Sequence, residues 1–316
     1  MKKEIYSTLK FIIIFIVILT SIDLLLTEGL KKNKTGYYGK VNKIFKNDSL
    51  PQVAIFSSSV GEMGFDCSVL SPKLKKSVYN FSLSGTRFMQ YKSMIDEVNT
   101  IQNNIEYVVL AEAIFSLEKI SALTELERFL PYITNENIYS SFYTIQPDLV
   151  FKARYIPFYK YIAVSNQYYL QSALGWKKSF KKQNNDTLLG QIKVTRNWEA
   201  DQDTIWKYAT PIPINIDSAV FSVYKKAVET LVKNNKKVIV VVPPIYMPKG
   251  QTIVDITNFR KTLSSIADNK NVFYFDFSES MVDKKYFYNV LHLNATGAAK
   301  FSNAFADSVN KFILKQ

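Results

Sequence analysis

The chain opens with a long apolar run, residues 11–26, F-I-I-I-F-I-V-I-L-T-S-I-D-L-L-L, preceded by Lys2, Lys3 and Lys10. Counted back to Ile5, with Lys10 free to snorkel, the run reaches about the 20 residues that carry a helix across a bilayer core. A cleaved signal peptide is the rival reading, and it needs a shorter apolar stretch followed by small residues. Thr27-Glu28-Gly29-Leu30 follows instead, so an uncleaved anchor is favoured. Asp23 inside the run is costly in lipid. It reads either as an interfacial residue or as one facing a partner helix. Residues 29–50 are polar and lysine-rich and read as a tether.

Beyond residue 50 the pattern changes to short apolar runs alternating with amphipathic stretches. Residues 53–56, 78–81, 107–111, 238–242 and 272–276 read as strands. The run V-I-V-V-V at 238–242, ended by Pro243-Pro244, has the continuous apolarity of a parallel strand buried on both faces. Residues 88–101, 217–233, 252–267 and 298–314 carry helical spacing, with Asn294 or Thr296 placed to cap the last. Such alternation predicts an α/β domain, a doubly wound parallel sheet with helices on both faces. The expected layout is an anchor at 1–28, a tether at 29–50 and one domain at 51–316. Residues 115–213 break the rhythm. They hold Phe129, Tyr132, Tyr139, Phe142, Tyr143, Tyr155, Phe158, Tyr159, Tyr161, Tyr168, Tyr169, Trp176, Trp198, Trp206 and Tyr208. They read as a mostly helical insertion at the C-terminal edge of the sheet, serving either as extra core or as a lid or groove wall.

Composition narrows the partners. Net charge is +13, from 40 Lys+Arg against 27 Asp+Glu, which suits an anionic surface or polymer. The lysines are scattered in pairs such as Lys31–Lys32 and Lys177–Lys178, with no Arg-rich arm, so no nucleic-acid partner is expected. A single cysteine, Cys67, excludes an internal disulfide. One cysteine and one histidine argue against a zinc site, and no metal or other cofactor is expected.

The lone histidine, His292, lies in residues 288–298, Y-N-V-L-H-L-N-A-T-G-A, between the last strand and the last helix. Imidazole exchanges protons near neutral pH without special help, and loops after the strands of an open α/β sheet are where ligands bind. A serine becomes a nucleophile only beside a base. Ser59, in Ser57-Ser58-Ser59 at the end of the first strand, is the candidate partner. A glycine loop, residues 80–85, follows the second strand.

These residues resemble the blocks of the SGNH (GDSL-like) hydrolase superfamily. Ile55-Phe56-Ser57-Ser58-Ser59 is similar to its nucleophile block. Asn80-Phe81-Ser82-Leu83-Ser84-Gly85 is similar to the block with the oxyanion-hole glycine. Asn289-Val290-Leu291-His292-Leu293-Asn294-Ala295-Thr296-Gly297-Ala298 is similar to D-x-x-H-L-N-x-x-G-A, with Asn289 in place of the aspartate. In the third block Ala111-Glu112-Ala113 lacks the usual oxyanion asparagine. The likeness covers residues 50–316 apart from the insertion. It implies a five-stranded flavodoxin-like sheet, Ser59 as nucleophile, His292 as base and Asn289 as its orienter. It further implies Ser59 and Gly85 backbone N–H groups as the oxyanion hole. Arg87 and Glu112, beside these loops, are the candidates for substrate contact.

The anchored layout also resembles single-pass members that work beside membrane-bound O-acyltransferases in polysaccharide O-acetylation and teichoic acid D-alanylation. That resemblance implies a cell-membrane protein with its domain on the extracytoplasmic side. Its expected activity is that of an acyltransferase or esterase on an acylated cell-surface glycan. The alternative is a catalytically weak or inactive glycan-binding scaffold for such an acyltransferase.

Overall fold

The computed structural model describes residues 1–163, 167–179, 186–199, 201–203, 212–246 and 253–314. The chain divides into two compact units, Met1–Asp48 with Ser121–Asn185, and Ser49–Ile120 with Asp186–Gln316.

The second unit is built on five parallel strands. β1 (Val53–Ser57), β2 (Val78–Asn80), β3 (Tyr107–Ala111), β4 (Lys237–Val242) and β5 (Val272–Asp276) lie side by side in the order β2-β1-β3-β4-β5. All neighbours run parallel, and the order 2-1-3-4-5 is that of a flavodoxin-like fold. β1 and β3 are buried at every position because both faces of the sheet are covered. Alternate residues point to opposite faces. Val53, Ile55, Val109, Ile239 and Phe273 pack under Leu70 and Leu74 of α4 (Cys67–Leu74) and under Phe301 and Phe305 of α12 (Ala295–Val309). On the other face lie α5 (Phe88–Thr100) and α10 (Ser218–Lys233), joined by the edge-to-face contact of Phe88 with Tyr224, centroids 4.9 Å apart. A further helix, α11 (Ile256–Ser264), packs against β4 and β5. It starts later than the expected 252, and Thr252 itself lies outside the described residues.

Two helices that flank the site and the sheet start on side-chain caps. The Asp217 side chain accepts from the Val220 N–H and opens α10. Asn294, not Thr296, caps α12, with its Oδ1 3.0 Å from the Gly297 N–H. Between β1 and β2 the chain forms α3 (Ser59–Gly64) and then α4. The apolar spacing there is broken by glycines and Pro72 and predicted neither helix.

The first unit joins the N-terminus to the aromatic-rich stretch. α1 runs from Lys2 to Lys31 and is long and apolar enough to cross a membrane. Its residues 2–18 stand exposed. Residues 29–50 are more than the polar tether expected of them. They hold α2 (Gly36–Phe45), which buries Tyr38, Val41 and Ile44, and the Asn42 side chain donates to the Leu30 carbonyl near the end of α1 at 3.0 Å. The stretch after β3 supplies α6 (Glu136–Tyr143), α7 (Pro147–Tyr155), α8 (Tyr159–Ile162) and α9 (Gln167–Ser179). Helix α9 packs antiparallel to α1. A Cβ on Gly175 would meet the Gly29 carbonyl oxygen at 1.9 Å, and one on Gly29 would meet Ser172 Oγ at 2.1 Å, so glycine is required on both sides of the crossing. Phe129, Phe142, Tyr161 and Tyr168 form core within this unit, whereas Tyr143, Tyr155 and Tyr169 are exposed. Trp206 and Tyr208 lie outside the described residues.

Asp23 is engaged within its own chain. Its carboxylate lies 2.9 Å from Lys160 Nζ and accepts from the Phe158 N–H at 2.9 Å and the Thr27 hydroxyl at 3.3 Å. The charge in the apolar run is answered from α8 of its own chain.

Candidate functional site

Strand β1 delivers Ser59. Ser57 and Ser58 are buried, and Ser59 is the first residue of α3, partly open to solvent. β1 sits between β2 and β3, where the strand order reverses. That is the crevice in which flavodoxin-like sheets bind ligands.

His292 follows the edge strand β5, so the chain must return across the carboxyl ends of two strands to reach Ser59. A chain of backbone bonds holds it there. The Tyr246 N–H after β4 donates to the Val290 carbonyl at 2.9 Å, and the Asn294 N–H donates to the Tyr286 carbonyl at 3.0 Å. Phe287 and Leu293 form an antiparallel bridge that closes the loop. The result places His292 Nε2 2.8 Å from Ser59 Oγ.

Asn289 fixes the imidazole. Its Oδ1 accepts from the Leu291 and His292 backbone N–H groups, both at 3.0 Å, and lies 2.9 Å from His292 Nδ1. Two backbone donors identify that atom as the amide oxygen, because a nitrogen there could not accept. His292 Nδ1 therefore carries the proton, and Nε2 turns its lone pair on the Ser59 hydroxyl. Burial pushes the imidazole down to about 4, so the ring is neutral at pH 7. The ring of Tyr288 stacks on it, centroids 5.4 Å apart and 19° from parallel.

The loop after β2 is tied to the same helix. Asn80 Nδ2 donates to the Gly61 carbonyl at 2.9 Å, and its Oδ1 accepts from the Ser82 N–H at 3.0 Å. Glu62, three residues after Ser59 and buried, accepts from both the Ser84 N–H, at 2.9 Å, and the Ser84 hydroxyl. Gly85 follows with a φ of +79°, a conformation that suits glycine.

The two residues expected to contact substrate are placed differently. Glu112 is fully buried under α5 and α10, where its Oε2 accepts from the Tyr91 hydroxyl at 2.8 Å. Burial pushes its carboxyl up to about 7, against the pull of the Tyr91, Ser116 and Tyr224 hydroxyls. At the end of a strand covered on both faces it has no path to a ligand. The Arg87 guanidinium is engaged by Glu118 at 2.9 Å and lies 5.9 Å from the Phe115 ring centroid.

A segment that the sequence reading left inside the insertion also belongs here. Residues 186–199 cross from β2 to the histidine loop. The Leu189 carbonyl accepts from the Asn80 N–H at 2.9 Å, the Ile192 N–H donates to the Glu62 carbonyl at 3.1 Å, and the Val194 carbonyl accepts from the Ala295 N–H at 2.7 Å. A Cβ on Gly190 would sit 2.1 Å from the Asn80 carbonyl oxygen, and its φ is +85°. The segment brings the exposed Arg196 guanidinium to 5.5 Å from the Tyr288 ring centroid. Gly190 is its one local signal, and a lone glycine without periodicity does not announce a strap.

No family model matches this chain, and no curated protein matches it. A solved structure from Streptococcus pneumonia, provisionally described as a platelet activating factor, aligns with 96% of this chain and 99% of its own. Identity is 9% and the TM-score is 0.44.

Proposed function

We propose that the chain is a membrane-anchored serine acyltransferase or esterase of the SGNH kind, acting on an acylated cell-surface polysaccharide on the extracytoplasmic side. The observation that carries this reading is the continuous chain Ser59 Oγ, His292 Nε2, His292 Nδ1, Asn289 Oδ1, closed at 2.8 Å and 2.9 Å from segments 233 residues apart.

In the proposed reaction Ser59 Oγ attacks the acyl carbonyl carbon while His292 Nε2 takes the hydroxyl proton. The carbonyl oxygen gains the negative charge, and the Ser59 and Gly85 N–H groups hold it. Collapse breaks the bond to the glycan oxygen, which leaves with the proton returned by His292. The acyl-Ser59 ester is then resolved by water in an esterase, or by an acceptor hydroxyl in a transferase. In the second case a membrane-bound O-acyltransferase is the partner that supplies or receives the acyl group. The test is a fluorophosphonate probe on the full-length protein. The proposal expects covalent labelling that vanishes in Ser59→Ala, and a folded protein that never labels would defeat it.

One observation favours a second reading. A histidine with no carboxylate behind it, depressed to about 4 by burial, is a weak base and an unstable imidazolium. A glycan-binding scaffold beside an acyltransferase would tolerate both. That reading expects no labelling, with glycan binding unchanged in Ser59→Ala.

A further inference from the structure

Between Lys3 and Asp23 lie nineteen residues. As a helix they rise about 28 Å, the thickness of a hydrocarbon core of roughly 30 Å. With Lys2 and Lys3 in one headgroup layer, Asp23 falls at the boundary of the other. This length fixes which part of the first unit meets the lipid, because contacts along α1 set the level of everything packed on it.

Phe158 and Lys160 sit at the level of Asp23. Trp176 Nε1 donates to the Leu25 carbonyl at 3.1 Å, while Asn33 Nδ2 donates to the Gln171 carbonyl at 3.1 Å. Helix α9 therefore runs back toward the membrane, with Trp176 and the exposed Lys177 at its lipid end. Gly175 crosses Gly29, six residues beyond Asp23 on α1, and Leu170 lies five residues farther along α9, about 16 Å farther out in all.

The residues next to Phe158 are apolar and bare. Tyr155 is 56% exposed and Ile156 47%. Tyr155 continues into an aromatic group, 4.8 Å from Phe151 and 6.2 Å from Tyr139 by ring centroids, with the Arg154 guanidinium 4.2 Å from the Tyr139 ring centroid. Tyrosine and tryptophan mixed with basic side chains is the composition of a membrane–water interface.

We infer that the turn joining α7 to α8, with the lipid end of α9, is a foot seated in the headgroup layer, Tyr155 and Ile156 entering the acyl boundary. The occupant of this apolar patch is the bilayer that α1 crosses, and the inference rests on that anchor. The foot gives the unit a second hold on the membrane besides α1. An amphipathic surface of this kind buries its apolar side about 5–10 Å into the boundary.

The test places an environment-sensitive fluorophore on single cysteines of the full-length chain. The native Cys67 is buried and is replaced by alanine. Labels at Ile14→Cys, Ile156→Cys, Tyr155→Cys and Leu170→Cys are compared in vesicles of phosphatidylcholine and phosphatidylglycerol in equal parts. Some of the lipid carries a nitroxide quencher high on the acyl chain. Leu170 is the control, since at 64% it is more exposed within the protein than Ile156. The expected result is blue-shifted emission at residues 155 and 156, quenched at least about threefold more than at residue 170, as insertion of 5–10 Å implies. Equal, water-like signals at 155, 156 and 170 with a lipid-buried signal at 14 would overturn the foot and leave the anchor. A water-like signal at 14 would remove the anchor, and the foot with it. A blue shift at 156 without nitroxide quenching would mean that protein covers the patch, which also overturns the proposal.

Discussion

His292 Nδ1 and Asn289 Oδ1 lie 2.9 Å apart, a neutral hydrogen bond at the position where a carboxylate would complete a catalytic triad. The bond sets tautomer and orientation but offers no charge to an imidazolium. In a serine protease the reverse replacement lowers turnover about 10⁴-fold. Asn289→Asp is therefore expected to raise hydrolysis of an activated acetyl ester about tenfold to a thousandfold, below that ceiling. The gain should disappear in Ser59→Ala, because members of one catalytic unit act together. Turnover is to be measured for the parent, each single variant and the double. Flat values across all four would exclude a Ser59–His292 engine.

The pH profile follows from the same ring. Burial holds the His292 value low, at about 4, against an ordinary value near 6.5. The unprotonated ring is the working form, so labelling of Ser59 should fall as pH drops through about 4 and stay level across pH 5–7. In Asn289→Asp the new carboxylate favours the charged ring, and the fall should move up by about one to three pH units. Fluorophosphonate labelling rates from pH 3 to 8 give the comparison. A parent profile that falls near pH 6.5 would mean that the ring is not buried as described.

The strands and the site were legible for different reasons. The runs at 107–111 and 238–242 are continuous and β-branched because both faces of the sheet are covered, and their bounds match β3 and β4 to within a residue. Ser59, His292 and Asn289 could be read from motif spacing, since a loop of fixed geometry needs fixed spacing. Helices α2, α3 and α4 escaped because Gly36, Gly39, Gly61, Gly64 and Pro72 interrupt their apolar spacing, while tertiary burial overrides that local cost. The directions of Arg87 and Glu112 were not legible, because adjacency along the chain says nothing of where a side chain turns. Glu112 points between α5 and α10, and Arg87 turns to Glu118.

Glu112 supplies a stability test of that placement. Its folded-state value is raised to about 7 by burial, above the ordinary 4.3. The folded protein then binds the proton more tightly than the unfolded chain, so the stability this group contributes is present at low pH. It is lost as pH rises from about 4.5 through 7. Glu112→Gln keeps the shape and removes the titration. Relative to this variant, the parent should lose roughly 3 kcal/mol at most between pH 4.5 and 8. Thermal melts of both proteins across that range measure it. A constant difference would mean that the carboxyl is solvated, reopening a role in substrate contact.

Asp23 and Lys160 allow a sharper test, because Lys160 is buried, Asp23 is largely so, and each depends on the other. The Lys160 side chain is 8% exposed and that of Asp23 14%. Burial lowers the ammonium's affinity for its proton, and Asp23 opposes that loss. Removing one partner leaves an uncompensated buried charge, which costs about 3–5 kcal/mol. Asp23→Leu should therefore expose α8 and α9 of the full-length protein to proteolysis in nanodiscs. Replacing both, Asp23→Leu with Lys160→Met, should recover most of the resistance, since an apolar pair in a buried site is often neutral. A single variant as resistant as the parent, yet losing a co-purifying membrane protein, would restore the partner-helix reading. Equal sensitivity of the single and double variants would mean that the Phe158 N–H bond, not the ion pair, holds α8 against α1.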